Sequence, residues 1–180
     1  MNLPNYITLF RILLSPVFLI FLIYGKTNDH FRIAALSIFI FGCFTDALDG
    51  LLARLRKERT DLGRFLDPLA DKLLLLSAFL GLLAVNSLPY RPPLWVTITV
   101  VFRDLVILVG LITLLFMNGK IEVIPNFLGK ITTTFQMATI IAALIKSKIT
   151  LPISYVTALL TMFSCLSYLK RDLKKLRVAA

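Results

Sequence analysis

The fold class that this sequence predicts is an all-α integral membrane protein with six transmembrane helices, and three observations predict it. Of its 180 residues 58% are hydrophobic and the mean hydropathy is +0.85, well above the roughly half-apolar content of ordinary soluble domains. Six apolar runs approach the length of about 20 residues that carries a helix across a hydrocarbon core of about 30 Å. Between the runs fall clusters of Asn, Gly and Pro, the residues that break helices and start turns.

The first run, about 7–24, has no basic segment before it and no small-residue cleavage site after it, so it reads as a retained span rather than a removable leader. Pro16 is expected to kink it, and Asn28-Asp29 follows it. The second run, about 33–54, closes on acidic residues, and the third, about 68–85, opens on them. Residues 86–93, ending in Pro92-Pro93, separate the third run from the fourth, about 94–117, which Asn118-Gly119 ends. The fifth, about 127–144, is the weakest because Thr132, Thr133, Thr134 and Gln136 interrupt it, and the sixth covers about 151–168. No internal repeat or low-complexity tract divides the chain, so residues 1–180 read as one membrane domain.

Loop charges orient these spans. Arg54, Arg56, Lys57, Arg59 and Arg64, Lys120 and Lys130, and Lys170, Arg171, Lys174, Lys175 and Arg177 make twelve cations on one side. Lys26, Arg32, Arg91, Lys146 and Lys148 make five on the other. The positive-inside rule therefore puts both termini, and the acidic ends of spans two and three, in the cytoplasm. The net charge of +10 accordingly reads as loops and a tail facing an anionic leaflet, not as a nucleic-acid surface. Cys43 and Cys165 lie apart within apolar runs and read as small buried hydrophobes, and His30 as a solvated loop histidine.

Only ten residues are acidic, and four of them share one window. Asp46 and Asp49 are three apart and Asp67 and Asp71 four apart, spacings that keep each pair on one helical face. About thirteen apolar residues precede Asp46, roughly 20 Å of helix, which sets the acids at or just inside the cytoplasmic boundary. A nest of four carboxylates repels itself unless cations fill it, and its charge and hard oxygens suit two Mg²⁺ or Mn²⁺ ions. Paired ions of that kind hold a diphosphate and stabilise an oxygen leaving phosphorus. Gly50, Ala53 and Gly63 beside the acids leave room for a base or a phosphate, or else serve close helix packing. Arg54 stands where it could neutralise phosphate.

Asp46, Asp49, Gly50, Ala53, Arg54, Gly63, Asp67 and Asp71 match every fixed position of the signature of the CDP-alcohol phosphotransferase family, eight residues over 26 positions. The resemblance extends over residues 3 to about 137. The opening Leu3-Pro4-Asn5-Tyr6-Ile7-Thr8 with Arg11, the stretch Leu66-Asp67-Pro68-Leu69-Ala70-Asp71-Lys72, and Gly129-Lys130 with Thr133 and Gln136 look like the phosphatidylglycerophosphate synthase branch in bacteria. The resemblance implies a dimeric six-helix fold in the bacterial inner membrane that cleaves CDP-diacylglycerol, passes its phosphatidyl group to an alcohol and releases CMP. It implies Asp46, Asp49 and Asp67 as metal ligands, and Asp71 as a fourth ligand and the catalytic base on the acceptor hydroxyl. Asp49, Gly50, Ala53, Arg54 and Gly63 would line the nucleotide pocket.

The acceptor is less sharply written. Arg11, Lys72, Arg103 and Lys130 could gather into a basic pocket for a phosphate, which suits glycerol 3-phosphate. Arg103-Asp104, in the middle of the fourth run, reads equally as a mutually neutralising pair. Arg103-Asp104 in place of Arg-Glu, and Thr132 in place of a second lysine, lean toward the CMP-forming cardiolipin synthases, whose acceptor is phosphatidylglycerol. Inositol phosphate, serine and choline-type acceptors are further alternatives. From another class, intramembrane carboxylates also line the paths of cation-coupled transporters, although here they gather at one membrane face.

Overall fold

In the computed structural model the chain forms six helices: α1 Leu3–Tyr24, α2 Asp29–Arg56, α3 Asp61–Ala84, α4 Leu94–Asn118, α5 Phe127–Leu144 and α6 Thr150–Ala179. The structure describes the backbone of residues 3–56, 61–85, 88–118 and 127–179, and the side chains of residues 9–45, 70, 72–85, 88–110, 113 and 127–168. All six apolar runs are helical, and α1 continues through Pro16 without a break. The Asn28 side chain accepts the backbone N–H of His30 at 2.9 Å, capping the start of α2.

Helices α1, α2 and α3 pack together on one side, α5 and α6 form a hairpin, and α4 lies against α6 and α3. The core joining them includes Phe18 and Leu22 of α1, Ala35 and Phe39 of α2, and Leu74, Leu75, Ala78, Phe79 and Leu82 of α3. The α3 residues recur on the helical period, giving one continuous buried stripe. Two glycines set how closely this stripe is approached. A Cβ at Gly81 would lie 2.7 Å from Leu22 Cδ2 and 2.8 Å from Leu19 Cδ2, and one at Gly42 would lie 2.7 Å from Leu74 Cδ2. Glycine at both places admits neighbouring leucines that any other residue would push aside.

The surface is unlike that of a soluble bundle. Leu9, Leu13, Val17 and Ile20 on α1, and Leu94, Ile98, Phe102, Leu105 and Val109 on α4, form exposed apolar stripes. The interior holds Arg11, Arg103, Asp104 and Gln136, with Thr150, Ser154, Thr157, Thr161 and Ser164 buried along α6 at steps of four and three. Contiguous apolar surface, with polar and charged side chains enclosed beside an apolar core, is the pattern of helices whose solvent is lipid. Among the described residues, Phe127–Leu144 and Thr150–Tyr168 are long and apolar enough to cross a membrane, and the described parts of α1 and α3 contribute the shorter apolar stretches Leu9–Tyr24 and Lys72–Ala84.

The fifth run is therefore stronger than its polar letters suggest. Thr132, Thr133, Thr134 and Thr139 each donate to the carbonyl four residues back, at 2.7–3.1 Å. A hydroxyl satisfied within its own helix costs little in an apolar setting. The Thr139 and Thr157 hydroxyls also meet at 2.8 Å, joining α5 to α6.

Candidate active site

Near the middle of α3, α4 and α6, a buried polar network joins the three helices. Lys72, the first described side chain of α3 beyond Ala70, donates through Nζ to Asp104 Oδ1 at 2.8 Å. Arg103 Nη1 donates to the same oxygen at 2.6 Å, and Arg103 Nη2 donates to Ser164 Oγ on α6 at 2.9 Å. The guanidinium also lies over the Tyr168 ring, 5.7 Å from its centroid, a favourable cation–π placement. The Asp104 side chain is fully buried, that of Arg103 is 3% exposed and that of Lys72 is 17% exposed. Among the described residues, both cations share one carboxylate oxygen that solvent does not reach.

Helix α5 closes against the same place. A Cβ at Gly129 would stand 3.1 Å from the Tyr168 hydroxyl and 3.5 Å from Arg103 Nη2. Lys130 follows on the exposed side of the α5 start. Arg11 of α1 is 2% exposed, an arginine enclosed by the bundle. Of the basic residues expected around an acceptor, Lys72 and Arg103 thus share one carboxylate, Lys130 adjoins the glycine packed on Arg103, and Arg11 is buried in α1. Arg103 and Asp104 pair as neighbours, and Lys72 joins them.

Asp46, Asp49, Gly50, Ala53 and Arg54 occupy the last turns of α2, and Gly63, Asp67 and Asp71 the first turns of α3. Their side chains lie outside the described residues. Among the described residues no group of three or more His, Cys, Asp or Glu forms a metal nest.

Sequence reasoning passed over Ser164 and Tyr168, and gave no task to Gln136, whose carboxamide is fully buried with neither its oxygen nor its nitrogen hydrogen-bonded. The signal for the first two was present in the spacing 150, 154, 157, 161, 164, 168, which marks one face of α6 with hydroxyl-bearing residues. Thr132, the departure from a second lysine, is buried and also reaches the Leu160 carbonyl at 3.3 Å. It belongs to the α5–α6 seam, so its lack of charge takes nothing from the Lys72–Arg103 cluster.

A helical bundle enclosing charged and polar side chains, and carrying two aspartate pairs on adjacent helices, defines a class of membrane-embedded transferases: the chain belongs to the CDP-alcohol phosphatidyltransferase family, whose model matches residues 1–166. Within that class it is 40% identical over 141 residues to the probable phosphatidylglycerophosphate synthase of Mycobacterium tuberculosis, covering 78% of this chain and 64% of the relative. It thus spans somewhat less than two thirds of the length of that relative. It is 36% identical over 154 residues to the CDP-diacylglycerol–glycerol-3-phosphate 3-phosphatidyltransferase of Bacillus subtilis, covering 80% of this chain and 77% of the relative. To the enzyme of the same description from Escherichia coli K12 it is 32% identical over 176 residues, covering 93% of each.

Proposed function

We propose that this chain is a six-span membrane enzyme, with its site facing the cytoplasm, that transfers the phosphatidyl group of CDP-diacylglycerol to glycerol 3-phosphate, giving phosphatidylglycerophosphate and CMP. The observation that carries this reading is the register of α2 against α3. Gly42 lies against Leu74. Seven residues from Gly42 toward the end of α2 is Asp49, and seven from Leu74 toward the start of α3 is Asp67. Both steps are about 10 Å of helix. Asp46 and Asp71 lie four and three residues from the same contact, about 6 and about 5 Å along. Steps of three, four and seven stay on one helical face, so the four positions continue the line on which α2 meets α3. The two helix ends are separated by five residue steps, from Arg56 to Asp61, at most about 18 Å.

The acceptor candidates fall at the same depth. Gly81 packs on Leu19 and Leu22; Lys72 is nine residues below Gly81, while Arg11 is eight below Leu19 and eleven below Leu22. Arg32 donates to the Leu144 carbonyl; from that contact Asp46 and Lys130 are each fourteen residues along their helices, about 21 Å. Cations from α1, α3 and α5 therefore share a level with the aspartate pairs, which suits an acceptor that carries a phosphate.

The donor set fits divalent ions: four carboxylates near the membrane boundary balance two of Mg²⁺ or Mn²⁺ in charge and in hardness. Asp46, Asp49, Asp67 and Asp71 would hold them, and when bound they would supply charge stabilisation to the diphosphate and to the leaving phosphate oxygen. Asp49, Gly50, Ala53, Arg54 and Gly63 would seat the cytidine diphosphate. Lys72, Arg11 and Lys130 bind and orient the acceptor phosphate. Asp71 takes the proton of the acceptor hydroxyl as its oxygen bonds to the lipid-bearing phosphorus, the diphosphate P–O bond breaks, and CMP departs with the bond electrons. By its resemblance the functional unit is a homodimer.

The test incubates purified protein with CDP-diacylglycerol and either glycerol 3-phosphate or phosphatidylglycerol, and identifies the lipid formed. Phosphatidylglycerophosphate with stoichiometric CMP supports the reading. Cardiolipin in its place reassigns the acceptor, and cation flux in liposomes without CMP release makes the chain a transporter. Asp71→Asn should retain CDP-lipid binding and lose turnover; undiminished CMP release removes Asp71 from the base role.

A further inference from the structure

We propose that Asp104 is a positioning residue: its carboxylate anchors the Lys72 ammonium beside the acceptor phosphate and ties that placement to α6. The inference rests on the phosphatidyl-transfer reading and assigns a specific task within it. Lys72 directly follows Asp71, the proposed base, in the chain. A lysine side chain has four rotatable bonds and binds as a point charge without a preferred fork geometry; left alone it would sample many positions around Asp71. The 2.8 Å bond to Asp104 Oδ1 selects one of them.

Asp104 is in turn held from the other side. Arg103 Nη1 shares the same oxygen, and Arg103 is itself clamped by Ser164 and Tyr168 on α6. Gly129 gives this clamp room, because a Cβ there would press on the Tyr168 hydroxyl. The lysine thus stands at the end of a relay running from α6 through α4 to α3. Asp104 Oδ2 and Arg103 Nε, both buried, make no hydrogen bond. Both cations converge on the one oxygen, Oδ1, so the lysine and the arginine are held by the same atom.

The experiment compares the native chain with Asp104→Asn, Asp104→Glu, Lys72→Met and the Asp104→Asn/Lys72→Met double variant, in detergent micelles at fixed lipid composition. In Asp104→Asn the KM for the acceptor should rise about tenfold or more while the KM for CDP-diacylglycerol stays within about twofold, and Asp104→Glu should recover part of the loss. In the Lys72→Met background Asp104→Asn should cost little further, because its effect passes through the lysine. Independently of activity, Lys72 labelling by an amine-reactive reagent, read by peptide mass spectrometry, should rise severalfold in Asp104→Asn. Equal rises in both KM values, or losses that multiply in the double variant, or unchanged Lys72 labelling, would overturn the role. A native chain that releases no CMP sinks the phosphatidyl-transfer reading, and the labelling comparison still decides whether Asp104 holds Lys72.

Discussion

Gly42 of α2 faces Leu74 of α3 so closely that a Cβ on the glycine would lie 2.7 Å from Leu74 Cδ2. This approach is one point at which the two helices that carry the aspartate pairs meet. Gly42→Ile should therefore act in two ways. Overpacking of this kind typically costs about 1–3 kcal/mol, readable as a lower melting temperature in detergent, and the shifted register should cut CMP release by more than the stability loss explains. Because the obstructing atom is the end of a flexible side chain, the smaller Gly42→Ala should cost much less than Gly42→Ile. A Gly42→Ile protein with native turnover would remove the register from the mechanism.

Metal removal gives a second expectation. Chelation should abolish CMP release, and Mg²⁺ or Mn²⁺ should restore it while Zn²⁺ restores it poorly, because four carboxylates are hard ligands. Asp49→Asn should raise the metal concentration needed for half-activation by at least about tenfold, since losing even a group that only orients a metal ligand acts on that scale. Titrating activity against free metal checks both.

At the far end of the bundle, Lys146 first and Arg32 second hold the Asp29 carboxyl from its ordinary 3.8 down to about 2. Lys146 Nζ lies 2.8 Å from Asp29 Oδ1 and Arg32 Nε lies 3.1 Å from it. A carboxylate with a depressed folded-state value stabilises the fold above its unfolded value and loses that contribution as pH falls through the folded one. The clasp between the start of α2 and the α5–α6 turn should thus loosen as pH drops from about 3.8 toward about 2. Asp29→Asn should flatten that part of a melting-temperature-against-pH curve, and added salt should shrink the effect because the pair is exposed.

The α5–α6 hairpin offers a fourth test. Thr139 and Thr157 meet through their hydroxyls at 2.8 Å. Interhelical hydrogen bonds within membranes average about 0.6 kcal/mol and reach about 1.7. Thr157→Val should cost a value in that range in a reversible unfolding titration, with the larger part lost again when Thr139→Val is made alone and little more when both are changed.

Much of the fold was legible because helical periodicity is local. The six runs, their Asn and Pro boundaries and the pairing of acids on one face follow from residue spacing alone. The fifth run misled only in degree: Thr132 and Thr139 count as polar in a hydropathy window, whereas in the helix their hydroxyls are spent on carbonyls four residues back. Arg103-Asp104 could be read as a pair or as a binding element, and the sequence had no means to choose. The deciding partner, Lys72, is 32 residues away on another helix.

The chain order by itself determined that Asp46, Asp49, Asp67 and Asp71 stand as two helical pairs, since three- and four-residue spacing acts within one helix whatever surrounds it. Only tertiary packing decided that Lys72 meets Asp104, that Arg103 is held by Ser164 and Tyr168, and that Gly42 lies on Leu74. Those choices depend on which side chains fit together across helices, a matter of shape and of burying charge with its partner, and no local spacing encodes it.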